Sequence, residues 1–134
     1  MIVVDTNVVA YLLIDGPESL AAEAVLLKDP DWFAPSLWRS EFLNVLSVHM
    51  RNGGLSLERA IRLASESAAI LENREVQGDS ARILRLVARS NCSAYDCEFV
   101  ALAEEMSTFL VTSDRKLIRE FPEIVVSMKS FANV

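Results

Sequence analysis

The sequence predicts an α/β fold built on a central, mainly parallel sheet of about five short strands flanked by helices. Three observations carry that reading. Short β-branched or aromatic runs alternate with longer stretches of helical periodicity along the whole chain. At 134 residues the chain has the size of one domain, and a chain this long buries roughly 68–70% of its unfolded surface without needing a disulfide or a metal to fold. Hydrophobic residues make up 51% and charged residues 24%, a globular balance that excludes a disordered chain.

Taken in order, Ile2–Val4 reads as a buried strand ended by Asp5. Thr6 to Ile14 reads as a helix stopped at Asp15-Gly16. Pro17 suits a first helical residue, and the helix continues from Glu18 to Leu27. Trp32–Ala34 is a second strand. Ser36 is expected to cap a long helix that stops at Gly53-Gly54, and Ser56 caps another to about Leu71. Residues 74–76 form a weak third strand, and Asp79 or Ser80 starts a helix to about Arg89. Ser93, with Asp96 three residues on, matches a capping box for a helix to about Met106. Phe109–Thr112 is a strand, Asp114 to Glu120 a short helix, and Ile124–Val126 the last strand.

Other classes fall away on composition. The longest strictly apolar run, Val8–Ile14, is seven residues, far below the ~20 needed to span a bilayer. No basic segment precedes a long apolar one, so no signal peptide and no membrane role are expected. Cys92 and Cys97 fit no zinc or redox spacing and read as reduced thiols of a cytoplasmic protein. The net charge of −6 lacks the basic footprint usual for nucleic-acid binding. It is uneven: residues 1–50 carry 2 basic and 7 acidic side chains, and residues 51–134 carry 11 and 12.

Ligands of open parallel sheets bind beyond the carboxyl ends of the strands, and four acidic residues are expected there. Asp5 follows the first strand, and Asp114 lies two residues past Thr112. Glu41 lies early in the helix after the Trp32 strand. Asp96 lies in the first turn of a helix joined to the Phe109 strand by a very short link, so the helix start returns to that strand's far end. Asp96 has Phe99, Val100 and Ala103 as helical neighbours, and Glu41 has Leu37, Asn44, Val45 and Val48, so both carboxylates are expected on core-facing stripes. Four such groups meeting at ~5.5 Å in an effective dielectric near 20 would repel by about 18 kcal/mol in all. Cations or protons must relieve that, and oxygen-only donors suit Mg²⁺ or Mn²⁺. Each residue also has a structural alternative. Asp5 and Asp114 suit helix caps, Asp96 its capping box, and Glu41 a partly exposed helix face.

These positions stand in motifs that resemble the PIN-domain ribonucleases of the VapC toxin type. The motifs are Ile2-Val3-Val4-Asp5-Thr6-Asn7, Ser40-Glu41-Phe42-Leu43-Asn44, Tyr95-Asp96 followed by Ala101–Glu104, and Thr112-Ser113-Asp114-Arg115-Lys116-Leu117, with the acidic positions 36, 55 and 18 residues apart. Cys97-Glu98 departs from the small or apolar residues usual after Tyr-Asp. The resemblance implies a single three-layer PIN domain over residues 1–134 and an Mg²⁺- or Mn²⁺-dependent endoribonuclease. It implies Asp5, Glu41, Asp96 and Asp114 as catalytic, metal-holding residues, with Asn7 and Thr112 as accessory positions. It also implies a cognate antitoxin and a homodimer. Arg39, Arg115, Lys116 and Arg119 are the candidate RNA contacts, whereas Arg82, Arg85 and Arg89 read as a solvated helix face and the lone His49 as a surface residue.

Three rivals remain in view. A phosphatase of the haloacid-dehalogenase type needs a second Asp two residues after the first, where this chain has Asn7. A receiver domain wants an acidic pair by the first strand and a later strand-end Lys, neither of which is evident. A non-catalytic PIN-fold module binding RNA or protein is disfavoured by the intact acidic set.

Overall fold

The computed structural model describes residues 1–133 and alternates strands and helices throughout. The order is β1 (Ile2–Val4), α1 (Thr6–Leu13), α2 (Ser19–Lys28), β2 (Trp32–Pro35), α3 (Trp38–Arg51), α4 (Leu57–Leu71), β3 (Glu75–Val76), α5 (Ser80–Ala88), α6 (Ala94–Glu105), β4 (Leu110–Thr112), α7 (Arg115–Glu120), β5 (Val125–Ser127) and α8 (Met128–Ala132). All pairings are parallel, and the strands lie in the order β3-β2-β1-β4-β5. The chain builds outward from β1 to β3, then returns to the other side of β1 to lay down β4 and β5. The strand order therefore reverses between β1 and β4, where a crevice opens at the carboxyl ends.

β1 is apolar at every position and fully buried because helices cover both sheet faces. α6 packs along β1, β2 and β4 and carries α5 on its outer side; α1 packs on β4, α2 and α3, and α2 on α8. Phe99, Val100 and Ala103 are buried as their periodicity predicts. No helix among the described residues is long and apolar enough to cross a membrane.

Four local expectations are corrected. α8 was not expected; it follows β5 without a break because Ser127 is both the last strand residue and the N-cap, its Oγ accepting from the Ser130 N–H. α2 begins at Ser19 rather than Pro17. The Ser19 hydroxyl accepts from the Gly16 N–H and donates to the Ile14 carbonyl, holding residues 14–19 as a loop. Ser36 does not cap α3: Leu37 takes that position with helical angles, and the Arg39 N–H bonds the Ser36 carbonyl instead of its hydroxyl. The core stripe of α3 is Trp38, Phe42 and Leu46, so Glu41 lies at its flank, with Asn44 and Val48 exposed.

Candidate functional site

The crevice between β1 and β4 brings the acidic residues to one edge. The Asp5 N–H continues the ladder by bonding the Val111 carbonyl at 3.0 Å, which fixes the Asp5 backbone to the sheet. Asp5 occupies the N-cap position of α1, yet its side chain makes no cap hydrogen bond. Its Oδ2 accepts instead from Thr112 Oγ1 at 2.6 Å. Thr112 is fully buried, and the same Oγ1 accepts from the Asp114 N–H at 3.0 Å. One hydroxyl thus sets both the Asp5 carboxylate and the Asp114 backbone.

Asp114 does cap α7, accepting from the Lys116 and Leu117 N–H groups at 2.8 and 3.3 Å, both through Oδ1. Oδ2 lies outside that cap. At the start of α6, Ser93 Oγ accepts from the Asp96 N–H at 3.1 Å. No side-chain hydrogen bond among the described residues carries the Asp96 carboxylate back to Ser93, so the capping box is half-made and that carboxylate stays uncommitted.

Glu41 is held by a residue that the motif reading passed over. Thr6 is buried, and its Oγ1 donates to Glu41 Oε1 at 2.7 Å. A signal for it exists in the sequence, since Thr6 shares the buried face of α1 with Val9 and Ala10. Asn7, the accessory position expected to hold Asp5 or a phosphate, is exposed, and no side-chain bond among the described residues ties it to Asp5.

The carboxylates share one electrostatic field. Burial pushes the Asp5 carboxyl above its ordinary range, the Thr112 bond opposes this, and the charges of Asp96 and Asp114 push it further up. Glu41 is raised by burial, opposed by Thr6, and raised again by Asp5, Asp96 and Glu98. Asp96 is raised by burial and by Asp114, against the Ser93 bond and the Lys116 charge. Glu98, a departure from the motif, thereby adds a carboxylate to the same field.

Among the described residues no group of three His, Cys, Asp or Glu side chains is already placed to hold a metal ion. The carboxylates act on one another through their charges without closing a cage. Their chemistry fits a hard divalent cation that keeps part of its water shell, because the donors are all oxygen and the mutual repulsion favours a cation.

The basic candidates divide. Arg115 lies beside Thr112 and Ser113, and the Lys116 charge is felt at Asp96. Arg119 is exposed in the last turn of α7. Arg39 lines a cleft between α3 and α4 with Trp38 and Phe42. Arg82 and Arg89 pair with Glu104 and Glu123 at the opposite end of the sheet. His49 is exposed. Cys92 and Cys97 are free and buried, and burial pushes both thiols up, which disfavours the thiolate.

Residues 2–123 match the PIN domain family. The chain is 29% identical over 128 residues to ribonuclease VapC3 of Pyrobaculum aerophilum, covering 92% of this chain and 97% of that protein. The fold superposes on the crystal structure of PAE2754 from Pyrobaculum aerophilum with a TM-score of 0.76, at 17% identity, covering 98% of this chain and 92% of the other. It superposes on FitAcB from Neisseria gonorrhoeae with a TM-score of 0.75, at 18% identity, covering 96% of this chain and 98% of the other. At those identities the two structures speak for the fold alone.

Proposed function

The chain belongs to the PIN-domain family, and from that premise we propose that it is a divalent-metal-dependent endoribonuclease, the toxin of a toxin–antitoxin pair. One observation carries the reading. Asp5, Glu41, Asp96 and Asp114 face one field at the strand-order reversal, and none has an ion-pair partner among the described residues. Unpaired carboxylates on a half-buried edge cost stability, and uptake of a cation would offset that cost. The similarity to ribonuclease VapC3 over most of both chains supports RNA as the substrate.

Asp5, Asp96, Asp114 and Glu41 are the residues that would hold Mg²⁺ or Mn²⁺, which when bound supplies Lewis-acid activation of a water and of the phosphoryl oxygens. Asp5 is the firmest of the four, because the sheet fixes its backbone and Thr112 orients its carboxylate. Glu41, raised by burial and by its acidic neighbours, is suited to take the proton of the attacking water, with Thr6 holding its other oxygen. Asn7, Arg115, Lys116 and Arg119 would meet phosphates of the RNA, with Arg39 a further contact from the α3–α4 cleft. In-line attack by water leaves 5′-phosphate and 3′-hydroxyl ends.

A cognate antitoxin and a homodimer complete the proposal. The apolar cleft between α3 and α4, where Leu43 and Ile61 remain exposed, supports a protein partner. The test is cleavage of RNA by the wild type and Asp5→Asn in Mg²⁺, Mn²⁺ and EDTA. Metal-dependent cleavage lost in the variant is expected; metal-independent cleavage, or full activity of Asp5→Asn, overturns the reading.

A further inference from the structure

A cavity of about 840 Å³ opens immediately beside the carboxylate edge, and the proposed mechanism leaves it without a role. It shares Thr112 with the acidic site and continues over Ser113 and the end of β5 into the space between α2, α7 and α8. Its volume falls in the range of pockets that hold small organic ligands, about 300–1,000 Å³.

Its lining divides by chemistry. Leu20 and Ala24 of α2 and Ile118 of α7 form apolar walls, and Leu20 is 79% exposed. Arg115 and Lys129 stand at its rim, both exposed and neither in an ion pair among the described residues. Glu18 is the acidic exception on the wall. Between these surfaces Tyr11 Oη and Ser113 Oγ lie 3.1 Å apart, and either can be the donor. Two hydroxyls carry two protons and their mutual bond uses one, so the pair keeps a donor and free lone pairs for a ligand. An apolar slot, two free cations and an adaptable polar pair form the combination by which proteins take a base, its phosphate and its hydrogen-bonding edge from a single strand.

We propose that this cavity seats the nucleotide next to the scissile phosphate of a single-stranded RNA, with the base between the α2 and α7 walls, the phosphate toward Arg115 and Lys129, and the Tyr11–Ser113 pair reading the base edge. The assignment rests on the ribonuclease reading and deepens it. It makes Tyr11 and Ser113 specificity-determining residues and leaves the chemical step to the carboxylates.

The test separates binding from cleavage. The four nucleoside 5′-monophosphates, ribose 5-phosphate and inorganic phosphate are titrated in EDTA into the full chain, and backbone amide shifts are followed by NMR. Shifts at Ala24, Ser113 and Lys129 that depend on the base and exceed those from ribose 5-phosphate are expected. Ala24→Trp, which fills the slot, should weaken nucleotide binding about tenfold or more. Tyr11→Phe, which keeps the ring, should change the base preference at the cleavage site and raise KM with kcat little altered. Equal shifts from inorganic phosphate and nucleotides, or none at all, overturn the proposal. So does an Ala24→Trp variant whose only effect is on self-association, which assigns the cavity to a second copy of the chain. If Ala24→Trp fails to fold, the wild-type titration and Tyr11→Phe decide alone. Because binding is read without metal, failure of the ribonuclease reading would appear in the Asp5→Asn cleavage assay and not here.

Discussion

At the amino-terminal end of the sheet, charges are paired. Arg74 meets Asp31, Arg82 and Arg89 meet Glu104, Arg89 also reaches Glu123, and the chain's amino group meets Asp29. At the carboxyl end, the Asp5, Glu41 and Asp114 carboxylates have neutral hydroxyl or N–H partners, the Asp96 carboxylate has none, and the four form no ion pairs among the described residues. Both ends carry acidic residues: Asp29, Asp31, Glu104 and Glu123 at one, and Asp5, Glu41, Asp96 and Asp114 at the other. Among the described residues only the amino-terminal end closes direct ion pairs; at the carboxyl end Lys116 acts on Asp96 through its charge alone. Acidic residues alone therefore do not mark the site; acidic residues that act on one another without a direct ion pair do, and that arrangement suits a cation.

The largest effect should come from breaking the carboxyl end at its anchor. Asp5→Asn keeps the shape and an acceptor for Thr112 while removing the charge. It should cut cleavage by about 10³-fold, roughly 4 kcal/mol of barrier, with the fold intact by circular dichroism. Thr112→Val should follow, lowering metal affinity or activity about 10–100-fold, because the hydroxyl acts only by orienting Asp5 and the Asp114 backbone. Metal titration by calorimetry separates that effect from lost catalysis. Asp114 divides the two roles of one side chain. Asp114→Asn should impair cleavage while keeping the α7 cap, and Asp114→Ala should impair cleavage and also cost about 1 kcal/mol of stability in denaturant melts.

How much of this the sequence discloses depends on whether the deciding interaction is local. Strand ends are local: the β-branched run at Ile2–Val4 and the Thr112–Asp114 step place Asp5 and Asp114 without reference to the rest of the chain. Asp96 follows from a loop too short to reach anywhere else. Glu41 is different. Its helix rotation is set by how Trp38 and Phe42 seat in the core, and helical neighbours alone put the buried stripe one position off. Thr6 reads as an ordinary first-turn residue until tertiary packing brings Glu41 to it, 35 positions away. The division of charge between the sheet ends is equally hidden, since Arg82 and Arg89 find partners on other elements. α8 is missed because no turn residue punctuates the step from β5 into it.

The pH dependence of stability sharpens the same comparison. Asp5, Glu41 and Asp96 all hold their protons to higher pH in the folded chain than their ordinary values. The folded state therefore binds more protons than the unfolded one, and their contribution to stability is complete below the ordinary carboxylate range near pH 4. It is lost as pH rises through the folded values. In EDTA Asp5→Asn should gain in Tm over wild type as pH rises through that window. Mg²⁺ should close the gap. The smallest effect belongs to the ion-paired end: Glu104→Gln weakens two partly exposed pairs, with Arg82 and Arg89, and should cost about 1 kcal/mol or less, with cleavage unchanged.

The most direct test places the cation. Mn²⁺ is titrated into the RNA-free chain, and paramagnetic broadening of backbone amides is mapped by NMR. Broadening should be centred on Asp5, Glu41, Asp96 and Asp114, fall off with distance from them, and vanish in Asp5→Asn. Broadening centred on Asp29, Glu104 and Glu123, or spread evenly over acidic residues at both ends of the sheet, would contradict the account.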